Sequence, residues 1–301
     1  MDVSVIIVNY NTKELTLNCI DSIYEQTKDL VFEVILVDND SSDGSVEVIS
    51  KRFPNVICIK NDSNLGFGKA NNTGVSYANG KYIFLLNSDT VLKNNAIKLF
   101  FDFHESNSES MITGGYLRDE NGKLMISYSS FTKSHVGLLR LAYINFPALQ
   151  NFRMKLLPNK TQTIPHTEII SVDFVTGADL FMKKADFNSL YGFDENFFMY
   201  YEDEDLCCRA KKQGIICKIL PGPEIIHLET RSPVQSNFKI LIREKSFFYY
   251  MGKKYSCFTI FWIKSIYFFL ILIRFIVRID RLKKRIGLFY KSMKVLRGFY
   301  A

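Results

Sequence analysis

The chain has 301 residues, of which 47% are hydrophobic and 23% are charged. These values exclude a disordered chain and allow one large α/β domain with an appendage. The net charge of +7 is uneven: residues 239–301 hold 15 Lys or Arg and 2 Asp or Glu, whereas residues 1–238 hold 23 and 29. In this basic tail the charges alternate with aromatic and aliphatic runs, which suits an anionic membrane surface and argues against nucleic acid as a partner.

The cysteines and the N-terminal residues indicate the compartment. None of the 6 cysteines forms a CxxC pair, and their spacing is not that of a secreted disulfide framework, so reduced cysteines are expected. Asp2 stands where a signal peptide has basic residues, and the apolar run at 3–8 is too short for one. The folded domain is therefore expected in the cytosol.

Strand and helix patterns alternate through the first hundred residues. Apolar, β-branched runs predict buried strands at residues 3–8, 33–37, 56–60 and 82–86. Residues 15–24 predict an amphipathic helix between the first two strands. The alternation indicates right-handed βαβ units and a doubly wound, mostly parallel sheet. Polar residues such as Asn9 and Asp38 directly follow the strands, at the edge where such sheets bind ligands.

The middle of the chain, residues 114–171, is less regular. Residues 119–122 form a turn signal between short runs at 115–118 and 123–128, which predicts a hairpin. The aromatic residues that follow show no clear period. We expect an insertion in the domain here.

Two acidic sites are candidates for chemistry. Asp89 follows a buried strand, although an Asp at this place can also simply cap the next helix. Four consecutive carboxylates occupy residues 202–205. Their mutual repulsion is costly unless they bind a cation, cap a helix or hold a proton at a raised pKa. The alternative interpretation of residues 202–205 is a solvated helix start.

The order of the motifs resembles that of family 2 glycosyltransferases, and within them the bacterial rhamnosyltransferase-like enzymes of cell-wall and surface-polysaccharide synthesis. The matching segments are residues 3–11, 37–45, 64–72, 86–89, 176–178, 192–206 and His227. The resemblance implies a GT-A fold with a Rossmann-like nucleotide-sugar-binding half at 1–113 and an acceptor half at 114–238. Residues 239–301 would then form a helical, membrane-associating extension.

The resemblance also implies a donor site for a dTDP- or UDP-sugar. It assigns the base and ribose to Val8, Asn9, Tyr10 and Asp38, with the Asp38 carboxylate accepting from the N3 proton of the pyrimidine. It assigns the ribose and phosphate side to Asn64, Gly66, Lys69 and Asn72, and the end of the donor strand to Asn87, Ser88 and Asp89.

A divalent cation, Mg²⁺ or Mn²⁺, is the cofactor that the resemblance implies. Asp89 would be the last acid of the metal motif, and His227 would complete the coordination. The sequence departs from the two-acid motif of many relatives, since Asn87 and Ser88 stand where carboxylates often occur. A histidine after a strand, such as His227, is otherwise more often structural.

Asp203 would be the catalytic base, with Glu202 and Asp205 shaping its environment or orienting the acceptor. A single base implies one displacement and inversion at the anomeric carbon. The implied acceptor is lipid-linked or a glycan, and rhamnose is the first choice of sugar. The alternatives are a non-catalytic sugar-nucleotide-binding subunit and a nucleotidyltransferase. The latter is disfavoured because residues 9–12 lack a glycine-rich, basic loop.

The tail contains two apolar runs, residues 258–263 and 265–273, interrupted or bounded by Lys264, Arg274 and Arg278. A membrane-spanning helix needs about 20 apolar residues without such breaks. We therefore expect an interfacial helix lying peripherally on the inner face of the cell membrane. A single span, and a helix packed on the catalytic domain or in a homodimer, stay as alternatives.

Overall fold

A computed structural model describes residues 1–138, 167–228 and 236–277. Its strands are β1 (Val3–Asn9), β2 (Phe32–Asp38), β3 (Ile57–Lys60), β4 (Tyr82–Asn87), β5 (Thr90–Leu92), β6 (Met111–Gly115), β7 (Tyr128–Ser129), β8 (Ile170–Val172), β9 (Phe174–Val175), β10 (Asp179–Lys183), β11 (Ile216–Leu220) and β12 (Ile225–His227). Its helices are α1 (Lys13–Gln26), α2 (Ser45–Arg52), α3 (Phe67–Tyr77), α4 (Ala96–Glu105), α5 (Lys184–Ser189), α6 (Glu202–Lys212), α7 (Ser236–Lys254) and α8 (Cys257–Val277).

The main sheet has eight strands among the described residues, in the order β3-β2-β1-β4-β10-β6-β11-β8. Within it, β10 and β8 run against the other strands. The four predicted strands are confirmed as β1 to β4, and the predicted helix is confirmed as α1. The parallel register aligns Asn9 with Asp38, and Val8 with Asn87. The polar ends of three strands therefore meet at one edge of the sheet.

Helices cover both faces of this sheet because both faces of its strands are apolar. Successive residues of a strand point to opposite faces. On β1, Ile6 packs in the layer formed with α3, whereas Val5 and Ile7 pack in the layer formed with α1, α2 and α4. All three side chains are fully buried. Burial on both sides explains why these strands are continuous apolar runs rather than alternating ones.

The predicted hairpin at residues 115–128 is also present. The Gly122 amide donates to the Asp119 carbonyl oxygen (3.0 Å), and the Asp119 amide donates to the Lys123 carbonyl oxygen (2.8 Å). Much of the expected acceptor-side insertion, residues 139–166, lies outside the described residues. The predicted division of the acceptor half from the tail at residue 238 stays a prediction.

Contacts between residues divide the chain into two units. Within the described parts, the first comprises residues 1–131, 167–198 and 202–228, and the second comprises residues 132–138, 199–201 and 236–277. In the second unit α8 packs on α7 through the rings of Phe248 and Tyr267, whose centroids are 5.3 Å apart. The Tyr267 hydroxyl donates to the buried Glu244 carboxylate. No helix in the described ranges combines the length and apolarity needed to cross a bilayer.

Gly74 of α3 lies where this helix packs closely on the sheet. A Cβ on Gly74 would lie 2.5 Å from Cγ2 of Ile6 and 3.0 Å from Cγ2 of Val37, so both side chains would have to move. We expect Gly74→Ala to lower the free energy of unfolding by about 1–3 kcal/mol, measured by urea denaturation.

Gly252 of α7 is the matched control, because a Cβ there would meet nothing within 4 Å. Gly252→Ala should be neutral or stabilise by about 0.4–1 kcal/mol through the unfolded state. A Gly74→Ala protein as stable as Gly252→Ala would show that α3 does not pack this closely on Ile6 and Val37.

Candidate active site

The first part of the site is a polar junction at the ends of β1 and β2. Nδ2 of Asn9 donates to Oδ1 of Asp38 (2.6 Å) and to Oγ of Ser45 (2.7 Å), and all three residues are buried. Oδ2 of Asp38 accepts from the Ser41 amide (2.9 Å). The Asp38 carboxylate therefore joins the loops after the two strands. Its predicted contact with a pyrimidine stays a prediction, as do the contacts of half-buried Val8 and of Tyr10, which is 37% exposed.

Sequence reasoning did not single out Asn39, which extends this junction. Nδ2 of Asn39 donates to the Gly66 carbonyl oxygen (3.1 Å), and Oδ1 accepts from Nδ2 of Asn61 (2.8 Å). The side chain is buried. Its position directly after Asp38, at the end of a buried strand, is the sequence feature that could have identified it. Asn39 thereby couples the loop after β2 to the segment of residues 64–72.

Gly66 lies where two segments of backbone approach closely. Its φ is +84°, and a Cβ would lie 2.1 Å from the Phe198 carbonyl oxygen. The next amide, that of Phe67, donates to this oxygen (2.8 Å), while Oδ1 of Asn64 accepts from the Gly66 amide (3.0 Å). Both the left-handed backbone and the lack of space require glycine here. The segment is therefore held against residue 198 just before α6.

Asn72 and Lys69 of α3 contact protein groups, although sequence reasoning assigned both to the donor. The Asn72 amide forms two 2.8 Å hydrogen bonds with the backbone of Phe193, one to its carbonyl oxygen and one from its N–H. Nζ of Lys69 lies 3.2 Å from the Glu195 carboxylate, with both side chains exposed to solvent. These contacts tie α3 to residues 193–195, and the predicted donor contacts stay predictions.

Asp89 and His227 meet through a second small sheet. β5 pairs with β12 in antiparallel register, which sets Thr90 opposite His227, and the Leu228 amide donates to the Asp89 carbonyl oxygen (2.8 Å). Nε2 of His227 lies 3.1 Å from Oδ1 of Asp89 and 3.3 Å from Nδ2 of Asn87. Ser88, between them in sequence, turns its hydroxyl to Thr12 at 3.1 Å.

This cluster fits a divalent cation in part. The Asp89 carboxylate and the His227 imidazole are oxygen and nitrogen donors of the kind that divalent cations such as Mn²⁺ accept, whereas Asn87 turns its Nδ2 to His227. In the ranges that the structure describes, no group of three or more His, Cys, Asp and Glu side chains gathers around one point. Asp89 and His227 therefore supply two ligands, and further ligands would have to come from a bound molecule or from water.

Half-buried Asp203 and buried Glu202 form an acidic pair at the start of α6. Oδ1 of Asp203 accepts from the Glu204 amide (2.7 Å), and Oδ2 accepts from the Gly177 amide (3.1 Å). Burial raises the pKa of Asp203, although these backbone N–H groups oppose the shift. Burial and the neighbouring Asp203 carboxylate raise the pKa of Glu202 well above its usual range. Oε2 of Glu202 has no hydrogen-bond partner among the described residues.

The turn at residues 176–178 connects this acidic pair with the Asp89 cluster. A Cβ on Gly177 would lie 2.9 Å from Cε1 of Phe67, so the residue must be small for its amide to reach Asp203. The carbonyl oxygen of the next residue, Ala178, accepts from the backbone N–H of Asn87 (3.0 Å). Two adjacent residues thus contact both acidic sites, which are more than a hundred residues apart in sequence.

Asp205 forms an ion pair within α6. Its Oδ2 accepts from Nε of Arg209 at 2.8 Å, one helical turn later. Nη2 of Arg209 donates to the Gly192 carbonyl oxygen (2.8 Å), and Nη1 donates to that of Leu190. Asp205 therefore orients a guanidinium that holds residues 190–192. Its predicted effect on the acceptor stays a prediction.

Two relatives by sequence are rhamnosyltransferases. Rhamnosyltransferase WbbL of Escherichia coli is 31% identical over 204 residues, which cover 63% of this chain and 71% of that protein. N-acetylglucosaminyl-diphospho-decaprenol L-rhamnosyltransferase of Mycobacterium tuberculosis is 25% identical over 214 residues, covering 66% and 67%.

Solved structures show the same fold. The structure of GalNAc-T7 with UDP, GalNAc and Mn²⁺ matches with a TM-score of 0.57 at 15% identity, over 81% of this chain and 48% of that one. TarS of S. aureus matches with a TM-score of 0.52 at 17% identity, over 85% and 44%. The chain spans less than half of either structure, and this likeness shows the GT-A fold alone.

A family model described as glycosyl transferase family 2 matches residues 4–173, more than half of the chain. The match includes the ends of β1, β2 and β4, where the polar junction and Asp89 lie. It ends before α6, whose acids the turn at residues 176–178 connects to the same edge. With the fold, the relatives and these motifs in agreement, the chain belongs to glycosyl transferase family 2.

Proposed function

We propose that this enzyme is an inverting glycosyltransferase of bacterial surface glycan synthesis. It moves a sugar, rhamnose as the first candidate and another hexose otherwise, from a dTDP- or UDP-sugar to a lipid-linked or glycan acceptor. The observation that supports this most is the turn at residues 177–178, whose backbone contacts both Asp203 and Asn87. The names of the sequence relatives support the class of sugar and acceptor.

In the proposed reaction an acceptor hydroxyl attacks the anomeric carbon from the side opposite the diphosphate. The hydroxyl proton passes to the Asp203 carboxylate as the new glycosidic bond forms. The bond between the anomeric carbon and the diphosphate oxygen breaks, and its electron pair stays with the diphosphate. A raised pKa suits Asp203 to this work, because a base is most effective when its pKa approaches the working pH.

Asp89 and His227 would hold Mg²⁺ or Mn²⁺ against the diphosphate. The cation, when bound, neutralises the charge that develops on the leaving group. Asn87 positions His227 from β4, and Thr12 holds the loop that contains Ser88. The GalNAc-T7 structure with UDP and Mn²⁺ supports this assignment for the fold.

The C-terminal helix α8 supports a peripheral position at the inner face of the cell membrane. Its surface has a row of aromatic side chains that are each more than half exposed: Phe258, Phe261, Trp262 and Phe269. The opposite side of α8 is buried through Ile263, Tyr267 and Ile271. A helix with one packed side and one exposed aromatic side, in a basic segment, has the character of an interfacial helix.

The first functional prediction concerns the base. Asp203→Asn should lower turnover roughly 10²–10⁴-fold and leave donor affinity within a few-fold, because only proton acceptance is lost. The measurement is nucleoside diphosphate release from a panel of dTDP- and UDP-sugars, beside donor titration by calorimetry. Asp102→Asn is the control, since Asp102 makes an exposed ion pair with Lys98 on α4.

The pH dependence of turnover adds a second measurement. The base must be unprotonated, and burial raises the pKa of Asp203 above its ordinary 3.8. Turnover should therefore fall on acidification at a higher pH than an exposed Asp would give. Near-normal turnover in Asp203→Asn would remove Asp203 from this role. A non-catalytic subunit would release no nucleotide in either protein.

The second functional prediction concerns the cation. Wild-type protein should bind UDP roughly tenfold or more tightly with Mn²⁺ than in excess EDTA, since a cation held by Asp89 and His227 would neutralise charge on the diphosphate. Asp89→Ala and His227→Ala should lose this difference. His135→Ala, which removes an exposed histidine, should keep it. Equal UDP affinity with Mn²⁺ and with EDTA in the wild type would show that the cluster does not hold a metal.

The third functional prediction concerns the membrane. Replacing Phe258, Phe261 and Trp262 together by Ser should weaken binding to vesicles of mixed anionic and zwitterionic lipid at least tenfold, because each ring buried in lipid contributes about 1.5 kcal/mol or more. Co-sedimentation across a salt series measures this. The matched control replaces three exposed apolar residues of the first unit, Val31, Tyr77 and Tyr191, by Ser. Unchanged vesicle binding by the α8 variant would place the anchor elsewhere, and equal loss in both triple variants would show that the effect is not specific to α8.

A further inference from the structure

Two tyrosines with left-handed backbone directly precede the acidic pair. Tyr200 has φ +70° and Tyr201 has φ +71°, and Glu202 is the next residue. Residues with a Cβ rarely adopt this conformation, and bulky ones adopt it least. Such a conformation persists where the surroundings hold it, and it is concentrated at functional sites. Contacts with another part of the chain hold these two residues.

The contacts come from one face of α7, in the C-terminal part of the chain. Oγ of Ser246 donates to the Met199 carbonyl oxygen (2.7 Å). The Arg243 guanidinium lies over the Tyr200 ring, 4.4 Å from its centroid. The Tyr201 ring stacks on the Tyr250 ring, with centroids 5.5 Å apart and planes 26° apart.

A fourth side chain of α7 completes the set. The Phe247 ring lies 6.0 Å from the Tyr201 ring and is itself fully buried. Residues 243, 246, 247 and 250 are spaced by three, one and three, which places them on one side of a helix. Each of residues 199–201 therefore has a partner on the same helix. The contacts unite these three residues and α7 in the second unit, although the acids that follow belong to the first.

We infer that α7 is a positioning element for the catalytic base. Contacts with α7 hold Met199, Tyr200 and Tyr201. Asp203 follows Tyr201 by only two residues, so these contacts fix the backbone directly before the start of α6. Arg243, Ser246, Phe247 and Tyr250 act through the backbone of residues 199–201 and do not themselves touch the reacting atoms. The inference rests on the proposed role of Asp203 as the base.

Tyr201→Gly is the informative variant. Glycine adopts φ +71° without strain, so the backbone conformation remains allowed while the ring that binds Tyr250 and Phe247 is lost. Tyr191→Gly is the matched control: Tyr191 has φ +59° and is 93% exposed. Tyr201→Phe keeps the stacked ring and is the conservative variant. Ser246→Ala removes the bond to Met199 independently.

The first measurement needs no activity. Hydrogen exchange of the full chain, followed by mass spectrometry, should show faster exchange at the start of α6 in Tyr201→Gly and in Ser246→Ala than in wild type. Tyr191→Gly and Tyr201→Phe should exchange as wild type does. Unchanged exchange in Tyr201→Gly would overturn the inference, because the anchor would not then hold the helix start.

The second measurement is the hydrolysis of dTDP-rhamnose and UDP-glucose. In Tyr201→Gly we expect kcat to fall roughly 10–100-fold with KM within twofold, as for a displaced catalytic group. A raised KM with unchanged kcat would overturn the inference in favour of donor binding, and so would unchanged values of both. If the wild type hydrolyses neither donor, the proposed function is what fails, since the exchange measurement still reports on the anchor.

Discussion

The hydrogen bond from the Gly177 amide to the Asp203 carboxylate is the contact on which the arrangement of the site depends. It spans 3.1 Å between the turn before β10 and the first turn of α6. In the same turn the Ala178 carbonyl oxygen accepts from the backbone N–H of Asn87, at the end of β4. Because β10 is paired with both β4 and β6, the turn is fixed by the centre of the sheet. The Asp203 carboxylate and the end of β4 are therefore both tied to the turn at residues 176–178.

The electrostatics of α6 follow from this contact. The buried Glu202 carboxylate lies next in sequence to the half-buried Asp203 carboxylate, and at Asp203 backbone N–H groups oppose the effect of desolvation on the pKa. At Glu202 the neighbouring charge adds to the effect of burial, so its pKa rises further. Both shifts have the same direction, so the pair favours its protonated forms more than two exposed carboxylates would.

Several polar residues at the sheet edge form hydrogen bonds or ion pairs with other groups of the protein. Asn9 and Asp38 join two strand loops, Asn72 pairs with the backbone of Phe193, and Asp205 orients Arg209. These contacts make the loops rigid, which lowers the cost of ordering them around a donor. The sequence pattern identified all four residues as special, but a pattern does not distinguish a side chain that binds a ligand from one that holds the loop around it.

Local features of the sequence were enough to predict the strands β1 to β4, the parallel sheet and the order of the motifs. Apolar runs buried on both faces and the polar residues at their ends are local features that can be counted along the chain. The tertiary structure alone decided that His227 meets Asp89 through the pairing of β12 with β5, and that Gly177 reaches Asp203. It also decided that α7, in a tail that sequence analysis assigned to the membrane, contacts residues 199–201. These contacts join residues dozens to more than a hundred positions apart, and no local property of either partner records the other.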